Sequence, residues 1–406
     1  MNNNKVSQYG WKALLGSAVG YAMDGFDLLI LGFMLSAISA DLNLTPAQGG
    51  SLVTWTLIGA VVGGIVFGAL SDKYGRVRVL TWTIVLFAVF TGLCAFAQGY
   101  WDLLIYRTIA GIGLGGEFGI GMALAAEAWP ARHRARASSY VALGWQVGVL
   151  GAALLTPALL PYIGWRGMFI VGIFPAFVAW YLRAKLHEPE VFVEKQTALQ
   201  SQKSSKLESF KLLVKDKATA KISAGIVVLT SVQNFGYYGI MIWMPNFLSK
   251  QLGFSLTKSG LWTAVTICGM MVGIWVFGQL ADRIGRKPSF LLFQAGAVIS
   301  IFAYSQLEDP TTMLIAGAFL GMFVNGMMGG YGALMSEAYP TNARATAQNV
   351  LFNLGRGVGG FGPVVVGALV SAYSFQIAIA FLAAIYVIDM IATIFLIPEL
   401  KGKALD

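Results

Sequence analysis

Apolar residues come in long runs from one end of this chain to the other, each separated from the next by a short polar break. A run of about 18 residues or more, wound as an α-helix, spans the roughly 30 Å hydrocarbon core of a bilayer. Twelve such spans are predicted, at 13–39, 48–70, 79–98, 103–128, 138–160, 166–186, 220–248, 258–281, 289–306, 312–337, 346–371 and 375–397. The expected fold class is therefore an all-α membrane protein. With 57% hydrophobic and 12% charged residues over 406 positions, the composition excludes an ordinary soluble domain.

The net charge of +9 does not point to nucleic acid, because its distribution follows the spans. All but five of the 28 lysines and arginines lie in the termini or in every second connection, around 73–78, 132–136, 183–221, 283–287, 344 and 401–403. Arg166, Lys250 and Lys258 fall in the opposite connections, and Arg107 and Arg356 fall inside spans. Positive residues stay on the cytoplasmic side, so both termini are expected there, in a bacterial inner membrane. The basic run SQKSSKLESFKLLVKDK reads as a solvated linker, with attraction to acidic lipid headgroups as its other reading. The opening MNNNKVSQYGWK lacks the pattern of a cleaved signal, so the first span is expected to remain. Cys94 and Cys268 fall in spans, and His133 and His187 stand alone in basic connections; neither a disulfide framework, a metal site nor a cofactor is expected.

The chain repeats itself. GALSDKYGR begins at Gly68 and GQLADRIGR at Gly278; EAWPARHRARA begins at Glu127 and EAYPTNARATA at Glu337. Both pairs are offset by the same 210 residues. Two six-helix bundles are expected, over 1–186 and 220–406, joined by a cytoplasmic linker over 187–219. The loop motif, with Gly68, Asp72, Gly75 and Arg76 in one copy and Gly278, Asp282, Gly285 and Arg286 in the other, resembles the signature of the major facilitator superfamily. Arg107, Gly111, Gly113, Gly115 and Gly116 resemble the fourth-helix motif of that family. The resemblance covers the whole chain and implies twelve helices in two pseudo-symmetric bundles. Physically, the glycines let helices approach closely. Asp72 and Asp282 are placed to pair with arginines or to face the positive end of a neighbouring helix. Such contacts suit a gate that closes on the cytoplasmic side and breaks when it opens. Glu127 and Glu337, facing Arg134 and Arg344 in the next connection, are expected to join the same latch.

Charged groups at membrane depth are functional candidates, because each needs a partner or a use. In GYAMDGFDLLILGF, Asp24 and Asp27 share a helical stripe with Ser17 and Tyr21. At about 6 Å their repulsion is roughly 2–3 kcal/mol for an effective dielectric near 20, and a shared proton relieves it. Asp24, Asp27 and Glu117 are the candidates for proton coupling. Arg107, about 15 Å along its helix from Glu117, is expected to reach an aspartate of the first span as counter-ion or modulator. Arg356 shares a polar face with Asn349 and Asn353 halfway along the eleventh span. Its planar, permanently charged fork matches a carboxylate. The acid available in its own half is Asp389 of the twelfth span; otherwise the partner is a substrate anion. Gln233, Asn234, Tyr237 and Tyr238, Asn325, and Trp145 with Gln146 are expected around it, a few polar groups amid aromatics.

DGFD in the first span and GRGVGGFGP in the eleventh resemble the aromatic acid/proton symporters. GLGGEFG followed by EAWP, with GWR before the sixth span, resembles the sialate and lactate proton symporters. Either resemblance implies a non-enzymatic, proton-coupled importer of a small organic carboxylate (an aromatic acid, a muconate-like acid, or a lactate- or sialate-like acid), working as a monomer by alternating access. Uniport, antiport and drug efflux on the same fold are the competing readings.

Overall fold

The computed structural model describes residues 6–184, 186–189, 192–193, 208–250 and 256–402, and among them there is no β-strand. Of the expected linker, 190–191 and 194–207 lie outside the described residues, as does residue 185 at the end of the N-terminal bundle. The first half holds α1 (Gln8–Asp41), α2 (Pro46–Tyr74), α3 (Arg76–Cys94), α4 (Tyr100–Gly115), α5 (Glu117–Ala128) and α6 (Arg134–Arg183). After the short α7 (Glu208–Lys211), the second half holds α8 (Lys217–Lys250), α9 (Leu256–Ile284), α10 (Arg286–Ser305), α11 (Pro310–Gly326) and α12 (Met328–Ala338). It ends with α13 (Arg344–Gly359), α14 (Gly362–Ala372) and α15 (Phe375–Leu396).

Local chemistry sets several helix starts. Thr45 and Gln48 form a reciprocal capping box before α2, with Pro46 in its first turn. Asp309 caps α11 ahead of Pro310, and Ser374 caps α15. Gly75 and Gly285 hold φ of 110° and 109° between α2 and α3 and between α9 and α10, a region that a side chain strongly disfavours. The motif glycine is therefore the turn that lets an arginine begin the next helix.

All twelve expected spans coincide with helix, but not always with one unbroken helix. The fourth divides into α4 and α5 around Gly116, the tenth into α11 and α12 around Met327, and the eleventh into α13 and α14 beyond Gly359. Conversely, the fifth and sixth run together as α6, whose 50 residues would measure about 75 Å if straight. Non-helical Gly164, with φ 65° and ψ 177°, bends it instead. At that bend Trp165 and Arg166 donate to Asp41 at the end of α1, and Arg166 holds the Asp41 carboxyl below the usual range. Nine helical stretches among the described residues are long and apolar enough to cross a membrane, the bent α6 counting as one.

The two halves meet along α6 with α9 and α12, and along α13 with α2 and α5. Close approach needs small residues: a methyl group on Gly115 would lie 1.9 Å from the Ala60 carbonyl of α2. Large apolar side chains such as Phe174, Ile299 and Phe395 face outward, which is stable only against lipid.

Candidate functional site

At the end of the bundle that carries the repeated loop motif, the two halves are tied together twice over. The Asp72 carboxylate accepts from the Ala345 and Thr346 amides at the N-terminus of α13, at 3.2 and 2.8 Å, and from the Thr346 hydroxyl at 2.6 Å. Its repeat-mate Asp282 accepts from the Ala135 and Arg136 amides of α6, both at 3.1 Å. Each carboxylate thus sits on the unsatisfied, positive end of a helix from the opposite half. Arg76 binds Asp72 and both oxygens of Glu127, at 3.3 and 3.0 Å, and donates across the interface to the Thr341 carbonyl. Arg286 repeats the arrangement with Asp282 and Glu337, reaching Glu337 at 2.9 and 2.7 Å.

The partners of the two glutamates differ from the sequence expectation. Glu127 pairs with Arg344 of the other half at 2.7 Å, and Glu337 lies 3.8 Å from Arg134 of the other half. Within its own half each of these arginines donates to a carbonyl near a helix end, Arg134 to Ala126 and Arg344 to Ser336. The carbonyls of a helix C-terminus lack intrahelical donors and take these arginines. The rest of each fork is left to reach across the interface. Sequence reasoning also missed Glu188 and Glu399. Glu188 caps α3 through the Arg76, Val77 and Arg78 amides, and Glu399 caps α10 through the Arg286 and Lys287 amides. The signal was present, an acid shortly after the last span of each half, but its distance along the chain from the helix it caps hid it.

Asn349 and Asn353 are the second departure. Neither lines the central cavity. Asn349 Oδ1 accepts from the Gly119 amide at 3.1 Å, and Asn353 lies against Gly64 of α2 and 3.5 Å from the Gly115 carbonyl. Both face the broken helix α4–α5, where the interruption frees backbone groups that need partners. Their helical spacing from Arg356 was legible; which side of that face met another helix was not.

The remaining eight expected binding residues do converge. Arg356, Gln233, Asn234, Tyr237, Tyr238, Asn325, Trp145 and Gln146 line one narrow cavity between the halves, of about 20 Å³. Tyr21, Phe352, Ile274, Met328 and Ala142 complete its wall. The Arg356 guanidinium lies 5.6 Å from the Trp145 ring centre and 5.3 Å from that of Phe352. Among the described residues it makes no ion pair and its Nε has no hydrogen-bond partner. Asp389 is not its counter-ion: that carboxylate is wholly buried against α10, accepting from Gln294 at 2.9 Å. Gln233 donates to Asn325 at 2.8 Å, and the Trp145 indole donates to Tyr237 at 3.4 Å.

The acids of the first half lie beside the cavity rather than in its wall. Arg107 grips Asp27 with both terminal nitrogens, at 3.0 and 2.7 Å, and both side chains are fully buried. Thr91 also donates to Asp27 at 3.4 Å, and Thr56 accepts from Arg107 at 3.4 Å. The predicted reach of Arg107 to the first helix is therefore made, specifically to Asp27. The guanidinium offsets the repulsion that would make two aspartates share a proton. Asp24 is buried one turn away. Glu117, in the first turn of α5, faces α3 and accepts from the Thr83 hydroxyl at 2.7 Å.

The profile of the Major Facilitator Superfamily matches residues 17–360 and 226–405. The chain belongs to that superfamily. A putative metabolite transport protein of Haemophilus influenzae is 87% identical over 405 residues, covering 99% of this chain and all of that protein. A probable 4-methylmuconolactone transporter of Cupriavidus pinatubonensis is 33% identical over 95% of this chain and 90% of its own. Among solved structures, the proton:xylose symporter XylE superposes with a TM-score of 0.83 over 99% of this chain and 98% of its own, at 20% identity. This superfamily member is thus a multi-pass membrane transporter of metabolites and not an enzyme. XylE shares its fold; the cavity residues belong to this chain.

Proposed function

We propose that this transporter imports a small organic monocarboxylate together with a proton, across the bacterial inner membrane and with both termini in the cytoplasm. Arg356 carries the reading. A permanently charged guanidinium buried at mid-membrane, without a carboxylate partner among the described residues, is costly unless an anion occupies its fork during the cycle. The aromatic side chains around it suit an acid with an apolar body, and the 4-methylmuconolactone carrier among its relatives supports a small organic substrate. A carrier of cationic drugs would place acids in the cavity wall, where this one has an arginine.

Coupling rests on the Asp27–Arg107 pair. A proton arriving on Asp27 frees the Arg107 fork and changes how α1 is held against α4, so the proton and the substrate anion act on one half-to-half rearrangement. Glu117 and Asp24 are the other acids able to take the proton. The latch on the basic, cytoplasmic side is closed here, and alternating access requires its contacts to break. The molecule works as a monomer in lipid, with no cofactor.

Binding is tested on purified protein with a panel of carboxylates, read as ligand-induced thermal stabilisation, which follows from mass action. The best ligand should stabilise the wild type, stabilise Arg356→Lys less, and leave Arg356→Ala unmoved. An alanine variant that binds within about threefold of wild type, ~0.65 kcal/mol, overturns the anion site. Uptake should quicken with external acidity and collapse with a protonophore; accumulation that follows sodium instead overturns proton coupling.

A further inference from the structure

The second half carries an acid that neither the cavity nor the coupling pair uses. Asp389 lies about 10 Å from the C-terminal end of α15, fully buried where α15 packs on α10. Its Oδ2 accepts from Gln294 Nε2 at 2.9 Å, and the same nitrogen donates to the Thr393 hydroxyl at 2.7 Å. Among the described residues no lysine, arginine or histidine forms an ion pair with it. The titratable side chains close enough to feel its charge are Tyr331 of α12 and Tyr386 on α15 itself. Both hydroxyls donate elsewhere, to the carbonyls of Leu229 at 3.1 Å and Val324 at 3.5 Å. A carboxylate in this setting is an uncompensated buried charge, which a fold holds only at great cost.

Two atoms of the cluster, Asp389 Oδ1 and Gln294 Oε1, have no hydrogen-bond partner among the described residues. Both are acceptors while the acid is ionised. A hydrogen on Oδ1 removes the charge and turns one of the two into a donor. A carboxylic acid and a primary amide are complementary in this way, each having a donor and an acceptor to exchange. The bond from Gln294 is the half already made. Turning the amide over strengthens the case: two oxygens would then meet at the 2.9 Å contact, which is stable only with a proton between them.

The duplication supplies an independent comparison. Gln294, Tyr386 and Asp389 stand 210 residues after Ile84, Ala176 and Ala179, the offset of the loop motifs. Those three pack together in an apolar cluster of the first half. The fold therefore closes this helix contact without polar groups, and the amide, hydroxyl and acid are an addition peculiar to the second half. As an anion, such an addition would only weaken the half; as a neutral acid it bonds α15 to α10.

We infer that Asp389 is a proton-binding site of the second half, separate from the Asp27–Arg107 pair, and that the neutral acid and the Gln294 amide clamp α15 to α10. A proton held in the fold and released on unfolding makes stability fall as pH rises. For one proton the folding equilibrium changes by up to about tenfold per pH unit, from the ordinary carboxyl range to the pH at which the site empties.

The test uses the full-length purified protein in detergent. Infrared difference spectra of the wild type against Asp389→Asn at neutral pH should show the carbonyl stretch of a protonated carboxylic acid, absent from the variant and shifted in heavy water. From about pH 6 to about pH 8, above the ordinary Asp and Glu range, the unfolding temperature of the wild type should fall relative to that of Asp389→Asn. Gln294→Ile/Asp389→Ala installs the residues of the first half, and its pH dependence should match that of the Asn variant. This second variant carries the test should the first misfold. A carboxylate stretch in place of the acid band overturns the inference, as do parallel pH dependences in the wild type and the variants. Sodium chloride, compared with choline chloride, should stabilise all three proteins equally. Stabilisation by sodium confined to the wild type overturns the inference too, because the unmet oxygens would then hold a metal cation.

Discussion

Asp27 and Arg107 show how much one residue's meaning depends on its partner. On the sequence, Asp27 belongs with Asp24, three residues away; in the structure both of its oxygens are held by a guanidinium from another helix. Breaking a fully buried pair leaves an uncompensated charge and typically costs about 3–5 kcal/mol, whereas replacing both partners by apolar groups is often neutral. Arg107→Leu should therefore lower the unfolding temperature in detergent sharply, and Asp27→Leu/Arg107→Leu should recover most of the loss. Thermal unfolding of both variants checks this. Asp27→Asn should abolish concentrative uptake of the best-binding carboxylate while sparing exchange down its gradient. An Asn variant that still accumulates substrate against a gradient removes Asp27 from the coupling step.

Helix ends carry the charged contacts between the two halves. Asp72 seats on α13 and Asp282 on α6, each across the interface, while Arg76 and Arg286 brace them from behind. A carboxylate capping a helix N-terminus is worth about 1 kcal/mol, up to ~2 when partly buried. Asp72→Asn and Asp282→Asn should insert and fold yet show altered initial uptake rates, because the latch end loses its charge on a helix terminus. Normal rates at normal surface expression would refute the gating role. The crossed pairing of the glutamates is tested by a double-mutant cycle. Glu127→Gln with Arg344→Met should show coupling of about 1–3 kcal/mol, and Glu127→Gln with Arg134→Met much less. Equal coupling in the two cycles would contradict the crossed geometry.

Over the whole molecule, one end is sealed by charge and the middle holds a polar cavity, the layout that alternating access requires. Ser139 of α6 is fully buried where it meets Gly278 of α9 and Gly329 of α12, both in the other half. A cysteine there should resist membrane-impermeant thiol reagents while the latch is shut. Glu127→Ala with Glu337→Ala removes the crossed pairs and shifts the population towards the open state. Labelling of Ser139→Cys in a background lacking the native cysteines should then rise severalfold. Unchanged labelling would place the barrier elsewhere.

The twelve spans, the duplication and the charged residues that meet at one end of the bundle were legible from the chain alone, because each rests on local or periodic information. Lipid demands long apolar helices, and a loop motif repeated at one offset marks two copies of one design. Arg356 and its ring of aromatics and amides were also legible, since a charge at mid-membrane stands out against an apolar run wherever it lies. Rotation about a helix axis and pairing across the interface were not. Asn349 and Asn353 share the Arg356 face in sequence, yet the break in α4–α5 draws them to its freed backbone and away from the cavity. Asp27 takes Arg107, 80 residues on, over Asp24 on its own turn. Glu127 takes Arg344, 217 residues away, over Arg134 in the adjoining connection. Hydrophobicity is a property of single residues and survives in the sequence. Which charge meets which is settled only when two helices from different halves are brought within hydrogen-bond distance, and there the tertiary structure alone decides.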